Sequence, residues 1–199
     1  MHSLDEPDIG LLRRAAAGDR DAFGMIFERY QHIVYRFARA MTGSTETADD
    51  VTQEVFVILM RNLARYTPER SAFTTYLYGV ARNVSRSQVR RDRRLVPLAS
   101  VRTSVAGLMT RSNPYERLLH AETSDEVRRA LARLPIKLRE AIILCDLHQL
   151  SYVEASAALD TSVPAVRSRL HRGRQLLRIR LSRLQRVTPQ LTPGTRCPA

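Results

Sequence analysis

Cysteine and long apolar runs are both scarce in this chain of 199 residues, and each shortage excludes a class of protein. The chain has 2 cysteines, Cys145 and Cys197, which are too few for the disulfide framework of a small secreted domain. The longest apolar stretches, such as residues 141–145, fall far short of the roughly 20 residues that a membrane helix needs. Segment 1–14 is acidic and lacks the basic start and the apolar stretch of a signal peptide. We therefore predict a cytoplasmic protein that is neither exported nor inserted into a membrane.

Motifs of catalysis and of metal or cofactor binding are also missing. The sequence has no glycine-rich phosphate loop, no His-x-x-x-His pair and no nucleophile elbow. Cys145 and His148 have a spacing that suits one helix face, but two further zinc ligands are lacking. We therefore predict no catalytic residue, no metal and no cofactor, and a protein that is not an enzyme.

Acidic residues are outnumbered by basic ones. The 20 Asp and Glu against 32 Lys and Arg give a formal net charge of +12, which is typical of chains that bind polyanions. The hydrophobic share of 44% and the charged share of 26% are those of a folded globular protein. Nucleic acid is therefore the first partner to consider, and the placement of the arginines decides where it binds.

The apolar pattern predicts an all-α protein. Apolar residues recur at spacings of three and four, and no segment shows the alternation of a β-strand. Segment 95–113 has no sustained period and is rich in Val, Pro, Ser, Thr and Gly, which predicts a flexible linker. The predicted units are a helical domain, this linker, a second helical domain with a helix-turn-helix, and a disordered tail, at residues 1–94, 95–113, 114–187 and 188–199.

A helix-turn-helix is predicted near the end of the second domain. Ser151 and Glu154 have the spacing of a capping box, which starts a short helix. Residues 160–162 then form a turn, and Pro164 fits the first turn of a long helix that runs to about Arg186. In this motif the second helix enters the major groove of DNA.

The long helix has a polar face suited to reading DNA. Val166, Leu170 and Leu177 share its apolar face, which leaves a basic face on the opposite side. Arginine there can bind guanine in a bidentate manner, and serine and histidine can serve bases or phosphate. The alternative is a merely solvated basic helix. The predicted DNA-binding residues are Arg167, Ser168, His171, Arg172 and Arg174, of which the last mainly meets phosphate or solvent.

A second basic cluster lies on the last helix of the first domain. Aromatic rings beside a basic groove can hold unpaired bases, and Asn83 can read the edge of a flipped base. Tyr66, Tyr76 and Tyr78 face either DNA or the core, whereas Phe73 belongs to the core. The candidate residues of this second surface are Tyr66, Tyr76, Arg82, Asn83, Arg86 and Arg90.

The motifs in both halves resemble those of a known family. The stretches ADDVTQEVF at 48–56 and FTTYLYGVARN at 73–83 resemble conserved region 2 of bacterial sigma factors of the extracytoplasmic-function (ECF) group. Residues 134–140, 150–154 and 166–174 look like region 4 of the same group. The resemblance implies a dissociable, non-catalytic initiation factor that binds core RNA polymerase, recognises the −35 and −10 promoter elements and promotes promoter opening.

The resemblance also implies partners and roles for the candidate residues. The long C-terminal helix would read the −35 element, while Tyr66 and Asn83 would hold a flipped base of the −10 element. Core RNA polymerase would be contacted through its β′ clamp coiled coil and its β flap, and an anti-sigma factor would sequester the protein. The implied polymerase-binding residues are Asp49, Asp50, Gln53, Glu54 and Phe56, the last of which has the core as its alternative place.

Some positions depart from the pattern of the group. Tyr76 stands where tryptophan is usual, Asp160 replaces the customary turn glycine, and Pro164 and Ala165 replace a common Gly-Thr pair. Aspartate tolerates such turns, so the helix-turn-helix is retained. The alternative function is that of a helix-turn-helix repressor or activator that acts on duplex DNA without polymerase.

Overall fold

A computed structural model of the protein describes residues 9–95 and 126–185. Every regular element in these two ranges is helical, which confirms the predicted all-α class. None of the helices in these ranges is long and apolar enough to cross a membrane, and no three potential metal ligands cluster there. The predicted linker beyond Leu95 and the predicted tail lie outside the described residues. The helices are α1 (Ile9–Ala16), α2 (Arg20–Thr42), α3 (Thr45–Asn62), α4 (Phe73–Leu95), α5 (126–132), α6 (Ile136–Ile142), α7 (Tyr152–Ala158) and α8 (Val163–Gln185).

The hairpin of α2 and α3 is set by local capping. Gly43 ends α2 with φ +80°, a left-handed conformation that glycine adopts without a steric penalty, and its N–H donates to the carbonyl of Arg39 at 2.9 Å. Ser44 follows at once as the N-cap of α3, where its hydroxyl accepts a hydrogen bond from the N–H of Thr47 at 3.3 Å. Because one residue ends the first helix and the next starts the second, the chain reverses tightly there.

Helices α1 to α4 bury one aromatic-rich core. The Tyr30 ring of α2 packs edge-on against Phe73 of α4, with 5.2 Å between the ring centroids. Phe27 packs against Phe56 of α3 in the same way at 4.8 Å. These three helices therefore enclose the core, and each turns its remaining face outward. Large, almost completely buried side chains of this core are Ile26, Tyr30, Phe37, Met41, Leu59, Phe73 and Leu77.

Helices α5 to α8 form the second domain. Helix α6 continues through one wider, π-type turn at Ile143–Leu147, which carries its apolar face on toward α7. Helix α8 approaches α6 so closely that a β-carbon on Gly173 would lie 2.8 Å from Cδ1 of Ile142 and 3.3 Å from the carbonyl oxygen of Leu138. Glycine is therefore the residue that lets these two helices meet.

The two domains contact each other along α4 and the end of α2. The Tyr78 hydroxyl of α4 lies 2.7 Å from Nδ1 of His148 in the second domain. At the end of α2, a β-carbon on Gly43 would lie 3.6 Å from Cβ of Ala132. We name these contacts, together with the ion pairs of Glu140 described below, the domain seam.

Candidate nucleic-acid and polymerase interfaces

The capping box predicted before α7 is present. The Ser151 hydroxyl accepts a hydrogen bond from the N–H of Glu154 at 3.2 Å, and the Ser151 N–H donates to the Glu154 carboxylate at 2.8 Å. The turn that follows contains Asp160 in the left-handed region, at φ +47°. An aspartate thus adopts the conformation for which the family pattern uses glycine. The N–H of Val166 bonds to the carbonyl of Ser162 at 3.1 Å, which starts α8.

The first turns of α8 present a basic surface to solvent. Val166 and Leu170 are buried against the second domain, with 0% and 2% of their surface exposed. The side chains on the other side of the helix are free of this core because they point about half a turn away. We name these residues the recognition face, and all of them are exposed: Arg167, Ser168, His171 and Arg172.

Two arginines of α8 have partners that the sequence did not indicate. The Arg167 guanidinium lies over the ring of Tyr152, 5.4 Å from its centroid, so a cation–π contact with the first residue of α7 stabilises this side chain. Arg174 binds both carboxylate oxygens of Asp146, at 2.5 and 3.1 Å. This hydrogen bonding raises the pKa of Arg174 further and neutralises its charge locally. Arg174 therefore differs from Arg167 and Arg172 of the recognition face, which form no such ion pair with a carboxylate of residues 9–95 or 126–185.

The tyrosines at the start of α4 form a half-buried cluster. Tyr66 donates its hydroxyl proton to the carbonyl of Ser71 at 3.0 Å, and its ring lies 5.3 Å from that of Tyr76. Both rings pack against the core, and the Tyr66 ring lies edge-on to that of Phe73, with 5.4 Å between the centroids. Burial raises the pKa of Tyr76, so its phenol is neutral at physiological pH.

Tyr78 faces inward. It is 3% exposed and belongs to the domain seam, which settles the open alternative for this residue in favour of the core. Burial raises the pKa of Tyr78, and burial together with the positive charges of Arg36 and His32 lowers the pKa of His148 to about 4. Both groups are therefore neutral at pH 7, and the Tyr78 hydroxyl and Nδ1 of His148 share a hydrogen bond.

The exposed side of α4 forms an electropositive cleft of about 540 Å³. Its polar lining offers amide, hydroxyl and guanidinium groups, which suit a nucleotide rather than an apolar ligand. Asn83 and Arg90 are both exposed there, as the predicted reading of unpaired DNA requires. We name this feature the α4 cleft, and the residues that line it in the described part of the chain are Asn83, Arg86, Ser87, Arg90 and Arg91.

Arg82 and Arg86 are turned toward the second domain. Arg86 binds both oxygens of the Glu140 carboxylate, one of them at 2.6 Å, and Nε of Arg82 lies 3.6 Å from the same group. Burial lowers the pKa of Arg82, and Glu140 opposes that effect. Arg86 thus lines the α4 cleft and belongs to the domain seam at once. That these two arginines follow promoter DNA stays a prediction.

The outer face of α3 carries the residues that the resemblance assigns to polymerase binding. Phe56 is an exception, because it is 4% exposed and packs against Phe27 in the core. One to two turns beyond Gln53, the side chains of Val57 and Met60 are exposed, at 41% and 58%. Sequence reasoning missed this apolar extension, although its spacing from Gln53 indicates the same face. The exposed polar residues of the face are Asp49, Asp50, Gln53 and Glu54.

These features define a class of protein: a two-domain helical chain with one basic helix-turn-helix face and a second basic cleft beside aromatic side chains. The sequence model described as sigma-70 region 2 matches residues 26–95, and the one described as sigma-70, region 4 matches residues 124–177. The two matches correspond to the two helical domains, and the chain therefore combines both regions in the order that sigma factors have.

Comparisons with characterised proteins agree with this assignment. The chain is 34% identical to the ECF RNA polymerase sigma-E factor of Escherichia coli strain K12 over 174 residues, which cover 84% of this chain and 90% of that protein. It is 32% identical to the ECF sigma factor SigE of Mycolicibacterium smegmatis, over 94% of this chain and 72% of that protein. It is 29% identical to SigW of Bacillus subtilis, over 85% and 94%.

Two solved structures share the fold. One is CnrH in complex with the cytosolic domain of CnrY, with a TM-score of 0.64, 26% identity and coverage of 87% of this chain and 96% of that one. The other is the sigma factor RpoE of Bartonella quintana in complex with the anti-sigma factor NepR, with a TM-score of 0.64, 22% identity and coverage of 80% and 96%. This chain belongs to the ECF group of RNA polymerase sigma factors. Its function is that of a sigma factor rather than of a repressor or activator that works without polymerase.

Proposed function

We propose that this sigma factor binds core RNA polymerase, carries it to promoters with its own −35 and −10 sequences, and takes no catalytic part itself. The observation that carries the proposal is the recognition face, which lies on the second helix of a capped helix-turn-helix and is exposed to solvent. A helix exposed in this way fits the major groove. The place of action is the cytoplasm, where the polymerase meets the chromosome.

The recognition face is proposed to read the −35 element. Arg172 and His171 project from the side of α8 that Val166 and Leu170 leave free. Arg167 is held by the Tyr152 ring, which limits its freedom before DNA arrives and so reduces the entropy lost on binding. A bidentate contact from an arginine to guanine contributes roughly 1–3 kcal/mol of discrimination against another base. Arg174, paired with Asp146, is proposed to meet the phosphate backbone at the edge of this contact.

The α4 cleft is proposed to hold the unpaired −10 strand. Asn83 offers a donor and an acceptor to a base edge, and Arg90 offers charge to the backbone beside it. The half-buried rings of Tyr66 and Tyr76 supply an aromatic surface near the start of the same helix. Stacking of one base on such a ring contributes roughly 1–3 kcal/mol.

The outer face of α3 is proposed to dock on the β′ clamp coiled coil of core polymerase, and the second domain on the β flap. Asp50 and Glu54 supply negative charge, and Val57 and Met60 add an apolar edge that solvent reaches in the free chain. Charge steers association, whereas burial of the apolar edge stabilises the complex. Phe56 supports this surface from within the core.

An anti-sigma factor is proposed as a further partner. The two related structures described above are complexes, one of CnrH with the cytosolic domain of CnrY and one of RpoE with the anti-sigma factor NepR. The likeness to CnrH, at 26% identity and over 87% of this chain, supports a comparable regulator here.

Run-off transcription tests the proposal. Genomic promoter fragments are incubated with purified core RNA polymerase, with and without the protein, and the transcripts are mapped. Specific transcripts that require the protein are the expected result, and they also give the promoter sequences. Absence of such transcripts, together with tight binding of the protein alone to duplex DNA, would contradict the proposal.

A further inference from the structure

The second half of α2 carries basic side chains that belong to neither of the DNA surfaces described above. Residues 29–42 contain three arginines and one histidine, and no aspartate or glutamate. The basic residues follow one another at spacings of three and four, which places them on one side of the helix. The opposite side is buried in the core. We name the outer side the α2 row: Arg29, His32 and Arg36 are exposed, and Arg39 is half-buried.

Helix stability explains only part of the α2 row. Arg39 donates a hydrogen bond to the carbonyl of Gly43 at the C-terminal end of α2, where a positive charge is favourable. Arg29 lies over the ring of Tyr30, 5.9 Å from its centroid. Arg36 adds a positive charge between these two, and like charges three or four residues apart destabilise a helix. An anion bound along the row would offset this repulsion.

The positive potential of the α2 row extends over the groups packed beside it. Burial lowers the pKa of His148, and the positive charges of Arg36 and His32 lower it further. Burial also lowers the pKa of Arg128 on α5, and the charge of Arg39 adds to that effect. The row therefore acts as one electropositive surface along α2 rather than as four separate side chains.

The composition of the α2 row suits a sugar–phosphate backbone better than a protein. Protein interfaces are centred on buried apolar and aromatic anchors. Among the described residues of α2, Met25 is the one exposed large hydrophobic residue, and it lies before the row. Arginine matches phosphate with two parallel N–H groups, and contacts to a DNA backbone need charge but no apolar anchor. The row therefore fits a chain of phosphates.

The charge of α3 argues against one partner for both helices. The outer face of α3 exposes Asp49, Asp50 and Glu54, so a surface that complements it is positive and repels the α2 row. The partner of the row must be negative. Promoter DNA is the polyanion that the proposed function brings to this protein.

We propose that the α2 row binds phosphates of promoter DNA independently of the base sequence, as a contact additional to the recognition face and the α4 cleft. The inference rests on the proposed function, because it takes promoter DNA as the partner. It adds a backbone-binding surface on a helix that reads no base. Such a contact raises the affinity for every promoter alike and leaves the choice of sequence to the other two surfaces.

The first test measures the contribution of the α2 row to DNA binding. Holoenzyme is assembled from core polymerase and the full-length protein. Fluorescence anisotropy then gives its affinity for a labelled promoter duplex from the run-off assay and for a copy with scrambled −35 and −10 elements. We expect Arg36→Gln to lower both affinities about fivefold at about 0.1 M salt, with a slope of log affinity against log salt less steep by about 0.9, because one phosphate contact is lost. Equal affinity and slope for wild type and Arg36→Gln would overturn the proposal.

Matched variants separate a local contact from a change in net charge. Arg36→Lys keeps the positive charge and should retain most of the affinity. Arg13→Gln makes the same charge change on the exposed side of α1 and should behave as wild type. A loss for Arg13→Gln as large as that for Arg36→Gln would reduce the effect to net charge and refute the inference.

Folding is checked by circular dichroism melting of each variant. If Arg36→Gln is not folded, Glu28→Gln replaces it, because this change removes the negative charge one turn before His32 and leaves the α2 row complete. Glu28→Gln should bind both duplexes about twofold more tightly, since a carboxylate repels phosphate. Unchanged affinity of Glu28→Gln would then contradict the proposal.

Two further measurements distinguish the possible failures. A titration with core polymerase should give the same affinity for Arg36→Gln as for wild type; weaker binding to core with unchanged DNA binding would assign the α2 row to a protein and overturn the proposal. Arg172→Ala tests the proposed function separately. If it leaves the preference for the promoter over the scrambled duplex unchanged, the role of the recognition face fails. If it abolishes that preference while Arg36→Gln changes neither affinity, only the inference fails.

Discussion

Acidification below neutral pH is expected to weaken the domain seam, because His148 is held there in its neutral form. Its Nδ1 shares a hydrogen bond of 2.7 Å with the Tyr78 hydroxyl, and its ring lies 6.1 Å from that of Phe37. Burial, reinforced by the positive charges of Arg36 and His32, lowers its pKa to about 4 from the usual 6.5. Protonation would place a positive charge in this buried site, near the positive charges of Arg36 and His32.

The sign and size of the effect follow from the two pKa values. As the pH falls, the unfolded chain takes up the proton near pH 6.5, before the folded protein does, so stability is lost between pH 6.5 and about 4 and is fully present above that interval. At 1.36 kcal/mol per unit of pKa difference, the loss in the free energy of unfolding amounts to about 3 kcal/mol at pH 4. At pH 5.5 the expected loss from this one group is about 1 kcal/mol.

Urea unfolding followed by circular dichroism at pH 7.5, 6.5 and 5.5 measures this loss. The variant His148→Gln keeps a side chain that can form a hydrogen bond but does not titrate, so its stability should fall by about 1 kcal/mol less than that of wild type between pH 7.5 and 5.5. His171→Gln, on the exposed recognition face, serves as the matched control and should follow wild type. Parallel losses in wild type and His148→Gln would refute the reasoning.

Three further predictions concern binding and packing. Arg172→Ala should weaken binding to a −35 duplex roughly tenfold or more and binding to scrambled DNA much less, whereas Arg178→Ala, further along α8, should weaken both alike. Electrophoretic mobility shifts at fixed salt measure the difference, and equal losses for Arg172→Ala on both duplexes would contradict base reading. Asp50→Ala should lower the affinity for core polymerase roughly fivefold without changing the melting temperature, while Glu28→Ala on α2 should leave that affinity unchanged. A fluorescence titration in which Asp50→Ala binds core polymerase like wild type would exclude the outer face of α3 as the polymerase-binding surface. Gly173→Val should lower the free energy of unfolding by about 2 kcal/mol, because the valine side chain would collide with α6. If a denaturant titration shows wild-type stability for this variant, the two helices can move apart without cost.

Much of the local structure is determined by the sequence itself. The capping box of Ser151 and Glu154, and the end of α2 at Gly43 beside the N-cap Ser44, join groups a few residues apart. Such contacts need only the local chain geometry, so the residue types reveal them. The face of α8 likewise follows from helical periodicity, because burial of Val166 fixes which side chains point outward.

Tertiary structure alone decided which charges are paired across the chain. Arg86 meets Glu140 at a separation of 54 residues, and Tyr78 meets His148 at a separation of 70. The pattern of the sequence marks α4 as basic from Arg82 onward and gives no preference among these arginines, because a partner that distant depends on how whole helices pack. The sequence by itself therefore determined the helices, their caps and the family, whereas the packing of one domain on the other decided which arginines of α4 face solvent and which are held by Glu140.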